Sequence, residues 1–212
     1  MYVDQENIFY YISIMNEPYK MPPMPEGVEE GILKGMYRFS VSSRENTQIK
    51  ANLLGSGAIL NEAVKAAELL ENEYDIAADV WSVTSYKELY TDATEAERWS
   101  MLHPDQPPKE SYIEQCFRDT QGVFVTASDY LRALSGSITK WLPGRTITLG
   151  TDGFGRSEGR AQLRDYFEVD HRFIALAALY ALTLEGKIEK DVLKQALEKM
   201  EINPDKINPM FI

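Results

Sequence analysis

Residues Ile49–Tyr74, IKANLLGSGAILNEAVKAAELLENEY, form the first full unit of a strand–turn–helix alternation. IKANLL is short, apolar and bounded by glycine, as a strand is. Gly55-Ser56-Gly57 turns the chain, and Ala58–Tyr74 follows with Leu60, Ala63, Val64, Ala67 and Leu70 at three- and four-residue spacing. That spacing puts one apolar stripe on a helix, facing a sheet.

The alternation continues downstream. Ala78–Val83 (ADVWSV) is the next strand, followed by a helical stretch over Tyr86–Leu102 expected to be interrupted or capped near Thr91–Thr94. HPDQPP breaks the chain, and Tyr112–Arg118 adds a short helix. Gly122–Ala127 (GVFVTA) is continuously apolar, as a strand covered on both faces is. Ser128 is then expected to cap a helix over Asp129–Leu142. TITL (Thr146–Leu149) gives the last strand, a glycine-rich corner follows, and Arg160–Phe167 is helical. Asp170 caps a buried helix over His171–Glu185, Glu189–Met200 is amphipathic, and the prolines of INPDKINPMFI forbid further α-helix.

Strands alternating with helices over short connections require right-handed crossovers, hence a parallel sheet between two helical layers. MYRFSV (Met36–Val41) enters before the first crossover and is placed as an antiparallel edge strand; Glu29–Lys34 before it is a short helix stopped by Gly35. Further upstream, NIFYYISIM (Asn7–Met15) reads as a strand. NEPYKMPPMPEG (Asn16–Gly27), with Pro22, Pro23 and Pro25 close together, reads as a linker laid on a surface by Met21 and Met24. The domain boundary is accordingly drawn between residues 27 and 28.

The chain has 212 residues and a net charge of −11. It shows no basic stripe, which argues against a nucleic-acid surface. The greasiest run, FIALAALYALTL, is shorter than the ~20 residues of a membrane span. Cys116 is the only cysteine. No internal disulfide can form, a reducing compartment and a cytoplasmic location are expected, and the thiol reads as a small core group. His103 and His171 are the only histidines and lack partners at metal spacing; no GxSxG elbow occurs.

Two glycine corners compete as sites. Gly55-Ser56-Gly57 lacks the third glycine of a dinucleotide fingerprint and the GK[ST] of a P-loop, so it reads first as a tight turn. The corner in GTDGFGRSEGRAQLRDYF (Gly150–Phe167) collects Asp152, Arg156 and Ser157, candidates for an interface or for contact with an anion. The alternative is internal: Asp152 capping the turn and Arg156 paired with Glu158 or Asp165. Trp81, Trp99 and Trp141 are expected to help fill the core.

Several stretches together resemble one family. They are QENIFYYISIMNEPYKMPPMPEG, LLGSG, DVWSVTSYKEL, ERWSMLHP, DYLRAL, TLGTDGFGRSEGRAQLRDYFEVD and INPDKINP, and the family is the homodimeric bacterial pyruvate dehydrogenases, over the carboxyl-terminal region. The resemblance implies a three-layer α/β/α fold of the transketolase C-terminal type, with a mostly parallel five-stranded sheet and one antiparallel edge strand. It implies that residues 1–27 end a preceding pyrimidine-binding domain. For the parent enzyme it implies thiamine diphosphate and magnesium, pyruvate as substrate, a second identical subunit, and transfer of the acetyl group to the lipoyl arm of a dihydrolipoyl acetyltransferase. This chain departs from the pattern where catalysis is concerned: the GDG diphosphate motif with its following asparagine pair is missing. No catalytic, cofactor or metal residue is carried over, and the segment alone is expected to be inactive. The rival expectations are a free-standing phosphate- or nucleotide-binding module and a pure interaction module.

Overall fold

A computed structural model describes residues 2–12, 18–44 and 47–211. In chain order the elements are α1 (Glu29–Lys34), β1 (Met36–Ser40), β2 (Lys50–Ser56), α2 (Ile59–Tyr74), β3 (Ala77–Val83), α3 (Tyr86–Leu102) and α4 (Tyr112–Phe117). They continue with β4 (Val123–Ala127), α5 (Arg132–Gly136), β5 (Thr146–Leu149), α6 (Arg160–Tyr166), α7 (His171–Leu184) and α8 (Lys190–Lys199).

The five strands form one sheet in the order β1-β3-β2-β4-β5. β2 pairs in parallel with both β3 and β4, β4 pairs in parallel with β5, and β1 runs antiparallel along β3. The expected fold class, with MYRFSV as its antiparallel edge, is therefore the one observed. β2 lies at the centre, where every residue after Lys50 is buried. Leu53 and Leu54 point to opposite faces, and both are fully enclosed. On Leu53's face, α2 and α7 pack against Val80 and Val125, with Ala196 of α8 and Met200 just after it in the same cluster. On Leu54's face, Trp81 and Phe124 meet α3, α4 and the segment Ile138–Leu142. Burying each such leucine is worth roughly 2 kcal/mol, so the two apolar clusters account for the three layers.

The Gly55 turn has a packing reason. A Cβ at Gly55 would lie 2.8 Å from Leu60 Cα, because the first turn of α2 sits directly on the end of β2.

Five expectations need correction. Residues 7–12 are not a strand, and Phe9, Tyr11 and Ile12 stand exposed; residues 13–15 of that expected strand lie outside the described residues. The described residues 2–12 pair with none of the five strands, whose edges are β1 and β5. Met21 and Met24 are more than half exposed, so they do not pack the linker down. α3 runs unbroken through Thr91–Thr94, with Thr94 Oγ1 donating back to Tyr90 O (2.7 Å) and so staying on the helix surface.

The helix expected over Asp129–Leu142 is only the one-turn α5, followed by a 3₁₀ turn at Thr139–Trp141. The reason is tertiary. Ser128 Oγ accepts from Tyr130 N, Tyr130 O accepts from Thr151 N (2.9 Å), and Arg132 N donates to Asp152 (3.2 Å). The corner after β5 thus claims backbone groups a longer helix would have used, and Gly136 ends the turn early. Trp81 and Trp141 are buried as expected, whereas Trp99 is half-buried and stacks on His103 at 4.4 Å.

Gly55→Ala should lower stability by about 2 kcal/mol through overpacking against the Leu60 backbone. A urea titration monitored by tryptophan fluorescence measures it; an unchanged midpoint would mean that the turn has room to spare.

Candidate functional site

In a doubly wound sheet the chemistry-bearing edge is the carboxyl ends of the parallel strands, where the strand order reverses. Here the reversal lies between β2 and β4, with α2 leaving on one face and α3 on the other. The corner Gly150–Ser157 is on this edge, at the end of β5.

The structure gives its three candidate residues separate settings. Asp152 is turned inward: its carboxylate accepts from Arg132 N and pairs with Arg132 Nε at 3.1 Å, tying the corner to the loop after β4. Thr151 Oγ1 adds a bond to Asp129 O (2.9 Å). Gly153 has φ +96°, and a Cβ there would meet Pro209 O at 2.4 Å, so the carboxyl-terminal tail lies against the corner. Arg156 faces α6, where its Nε donates to Tyr166 OH (3.3 Å) and its guanidinium lies 5.7 Å from the Tyr166 ring. Ser157 is exposed. The residues do not converge on one point.

Beside the corner lies a feature the sequence reading missed. Glu62, in the first turn of α2, is almost wholly buried, with its side chain 4% exposed. Oε1 accepts from Lys65 Nζ (2.9 Å) and Arg164 Nη1 (3.0 Å); Oε2 accepts from His171 N and His171 Nδ1, both at 3.1 Å. The carboxylate thus sits at the amino terminus of α7 as an internal anion. It shares the orphan N–H groups there with Asp170, which accepts from Arg172 N and Phe173 N. Burial alone would raise the Glu62 carboxyl. Hydrogen bonds from the His171 ring, Lys65 and the His171 N–H, with the Lys65 charge, overcome this and hold it at about 2.

The network reaches the linker. Arg164 and Arg160 flank Tyr19, their guanidinium groups 5.7 and 5.1 Å from its ring, and both donate to its hydroxyl. On the other side Arg172 bridges Asp170 and Asp165, closing α6 onto α7.

A cavity of about 670 Å³ opens between this network and the corner. Ile59, Leu163, Phe167 and Val169 give it apolar walls; Arg156, Arg160 and Arg164 stand along it, with Asp129 and Glu158.

The remaining candidates are occupied structurally. His103 Nδ1 meets Trp99 O at 2.7 Å, and His171 is in the first turn of α7, as expected, but with Glu62 as its partner. Cys116 is half-buried beside Tyr112, and burial pushes its thiol up, away from the thiolate. Among the described residues no three His, Cys, Asp or Glu side chains converge to hold a metal ion.

A folded-state value of about 2 against an ordinary 4.5 means Glu62 favours the native state above pH 4.5, a contribution lost as pH falls from there toward 2. Glu62→Gln should therefore cost about 3 kcal/mol at pH 7 and remove much of the acid sensitivity in that window. Urea midpoints at pH 7 and pH 3 check this; equal losses at both pH values would contradict it.

Against known proteins, residues 35–170 match the family described as the transketolase-like TK C-terminal domain. The chain is 47% identical over 211 residues to the pyruvate dehydrogenase E1 component of Pseudomonas aeruginosa PAO1, covering 99% of this chain and 24% of that protein. It is 45% identical over 206 residues to the E1 component of Escherichia coli K12, covering 97% and 23% respectively. The chain thus spans about a quarter of the length of these relatives. A solved split-gene transketolase, an inactive β4 tetramer, superposes with a TM-score of 0.50 at 18% identity, over 71% of this chain and 43% of its own. That likeness concerns the fold, and it matches the sheet described above. With the family match spanning more than half of its residues, this chain belongs to the transketolase-like C-terminal domain family.

Proposed function

We propose that this chain is the carboxyl-terminal scaffold module of a pyruvate dehydrogenase, completing a homodimer and supporting domains that carry the chemistry. The observation that carries the reading is the near-complete coverage of the chain by E1 components four times its length, on a fold whose candidate corner is bound internally. The parent would decarboxylate pyruvate and reductively acetylate the lipoyl group of a dihydrolipoyl acetyltransferase in the cytoplasm, with thiamine diphosphate and magnesium. Thiamine diphosphate supplies a carbanion-stabilising centre when bound.

This chain's residues do not fit that cofactor's diphosphate and metal. No GDG with a following Asn-Asn occurs in the sequence, and no metal-binding cluster forms among the described residues. What the residues do is hold shape: Glu62 and Asp170 fix α6 and α7, and Asp152 with Arg132 fixes the corner.

Residues 1–27 belong, in this reading, to the end of a preceding domain and its linker, and residues 28–212 to the transketolase-type domain. Exposed Phe9, Tyr10, Tyr11, Ile12, Met21 and Met24 support this, because so much apolar side chain in one stretch marks a surface with a partner. In this reading the corner carrying Asp152, Arg156 and Ser157 would supply contacts to an interface or to an anion.

Sedimentation of the intact E1 polypeptide beside a version lacking residues 28–212 tests the proposal. The truncated protein should lose the dimer, and pyruvate decarboxylation with it. A truncated protein that stays dimeric and turns over pyruvate normally would refute the scaffold role.

A further inference from the structure

We propose that the cavity between the Gly150–Ser157 corner and α6 is a binding site for a small organic anion, a carboxylate or phosphate ester attached to an apolar body. This is independent of the scaffold reading and goes beyond it.

The first observation is charge placement. The chain carries −11 overall, yet four of its ten arginines fall within residues 156–172. Arg156, Arg160 and Arg164 follow one another at four-residue spacing, which places Arg160 and Arg164 on one face of α6 with Arg156 just ahead of it. All three line the same cavity.

The second is preorganisation. Arg164 is fixed by the Glu62 carboxylate, and Tyr19 braces both Arg160 and Arg164. Tyr166 braces Arg156. Guanidinium groups held in place lose little freedom on binding, and their planar donor pairs suit carboxylate and phosphate oxygens. Glu158 and Asp129 also line the cavity; the Glu158 carboxylate is turned back onto Gly159 N (2.9 Å).

The third is shape. About 670 Å³ is the size of a small-molecule pocket, and Ile59, Leu163 and Phe167 offer an apolar surface next to the arginines. An inorganic ion would leave that surface without a partner, whereas an anion with a ring or short chain uses both. The location, on the carboxyl edge of the parallel strands, is where this class of sheet accepts ligands.

The test is a titration of the intact polypeptide with phenyl phosphate, benzoate, inorganic phosphate and neutral benzyl alcohol. Binding is read by calorimetry and by hydrogen–deuterium exchange across residues 150–167. The expected result is saturable binding of phenyl phosphate or benzoate with slowed exchange in that segment; which of the two binds tighter identifies the head group. Inorganic phosphate and benzyl alcohol should bind more weakly. Arg156→Gln, on an exposed residue, should weaken binding about tenfold while exchange in α7 stays as in the parent. Added salt should weaken binding in the unsubstituted protein, a check that needs no variant. Equal protection by benzyl alcohol, an affinity indifferent to both Arg156→Gln and salt, or no saturable binding of either organic anion would overturn the proposal.

Discussion

The Glu62 carboxylate, itself almost wholly buried, must be satisfied where α2, α6 and α7 meet, and donors from all three helices do so. Glu62 draws a backbone N–H and a ring nitrogen from the start of α7, a guanidinium from α6 and an ammonium from its own helix. Each donor comes from an element that has to be in place for the others to reach. Losing one partner would leave a buried charge with three donors in place of four, at a cost above that of a surface ion pair. The junction therefore ties α2, α6 and α7 together, and through Arg160 and Arg164 it reaches the linker residue Tyr19.

The layers themselves follow from simpler physics. Alternating units of strand and helix put the strands in parallel, and the continuous burial of β2 after Lys50 and of β4 shows as mostly apolar runs in the sequence, Asn52 being a buried polar exception whose amide donates to Gln121 O (3.1 Å). Those features are local, so IKANLL, GVFVTA and the stripe of α2 could be read directly. The antiparallel edge was legible for the same reason, since MYRFSV precedes the first crossover.

What could not be read depends on partners distant in sequence. The apolar spacing of Leu131, Leu134, Ile138 and Leu142 describes a helix, yet Thr151 and Asp152 take the backbone of residues 130 and 132 and cut it to one turn. Asp152, Arg156 and Ser157 are adjacent in the corner but face different elements, which residue spacing cannot show. Glu62 left one trace: it stands between Ile59 and Ala66 at helical spacing, on a stripe otherwise apolar and buried. An acid on the core stripe signals a buried pair, although its partners, 102 and 109 residues away, stay hidden. Residues 7–12 of the strand expected at NIFYYISIM have the composition of a strand, yet they pair with none of the five strands.

In the proposed reading the chain gives shape to a larger enzyme, and the cofactor is held by other parts of that enzyme. The decisive measurement is isothermal titration of thiamine diphosphate with magnesium into the 212-residue chain, beside an intact E1 polypeptide. Clear binding to the intact protein and no heat of binding to the segment are expected. Saturable binding to the segment would contradict it and would place a cofactor site on residues assigned here to structure.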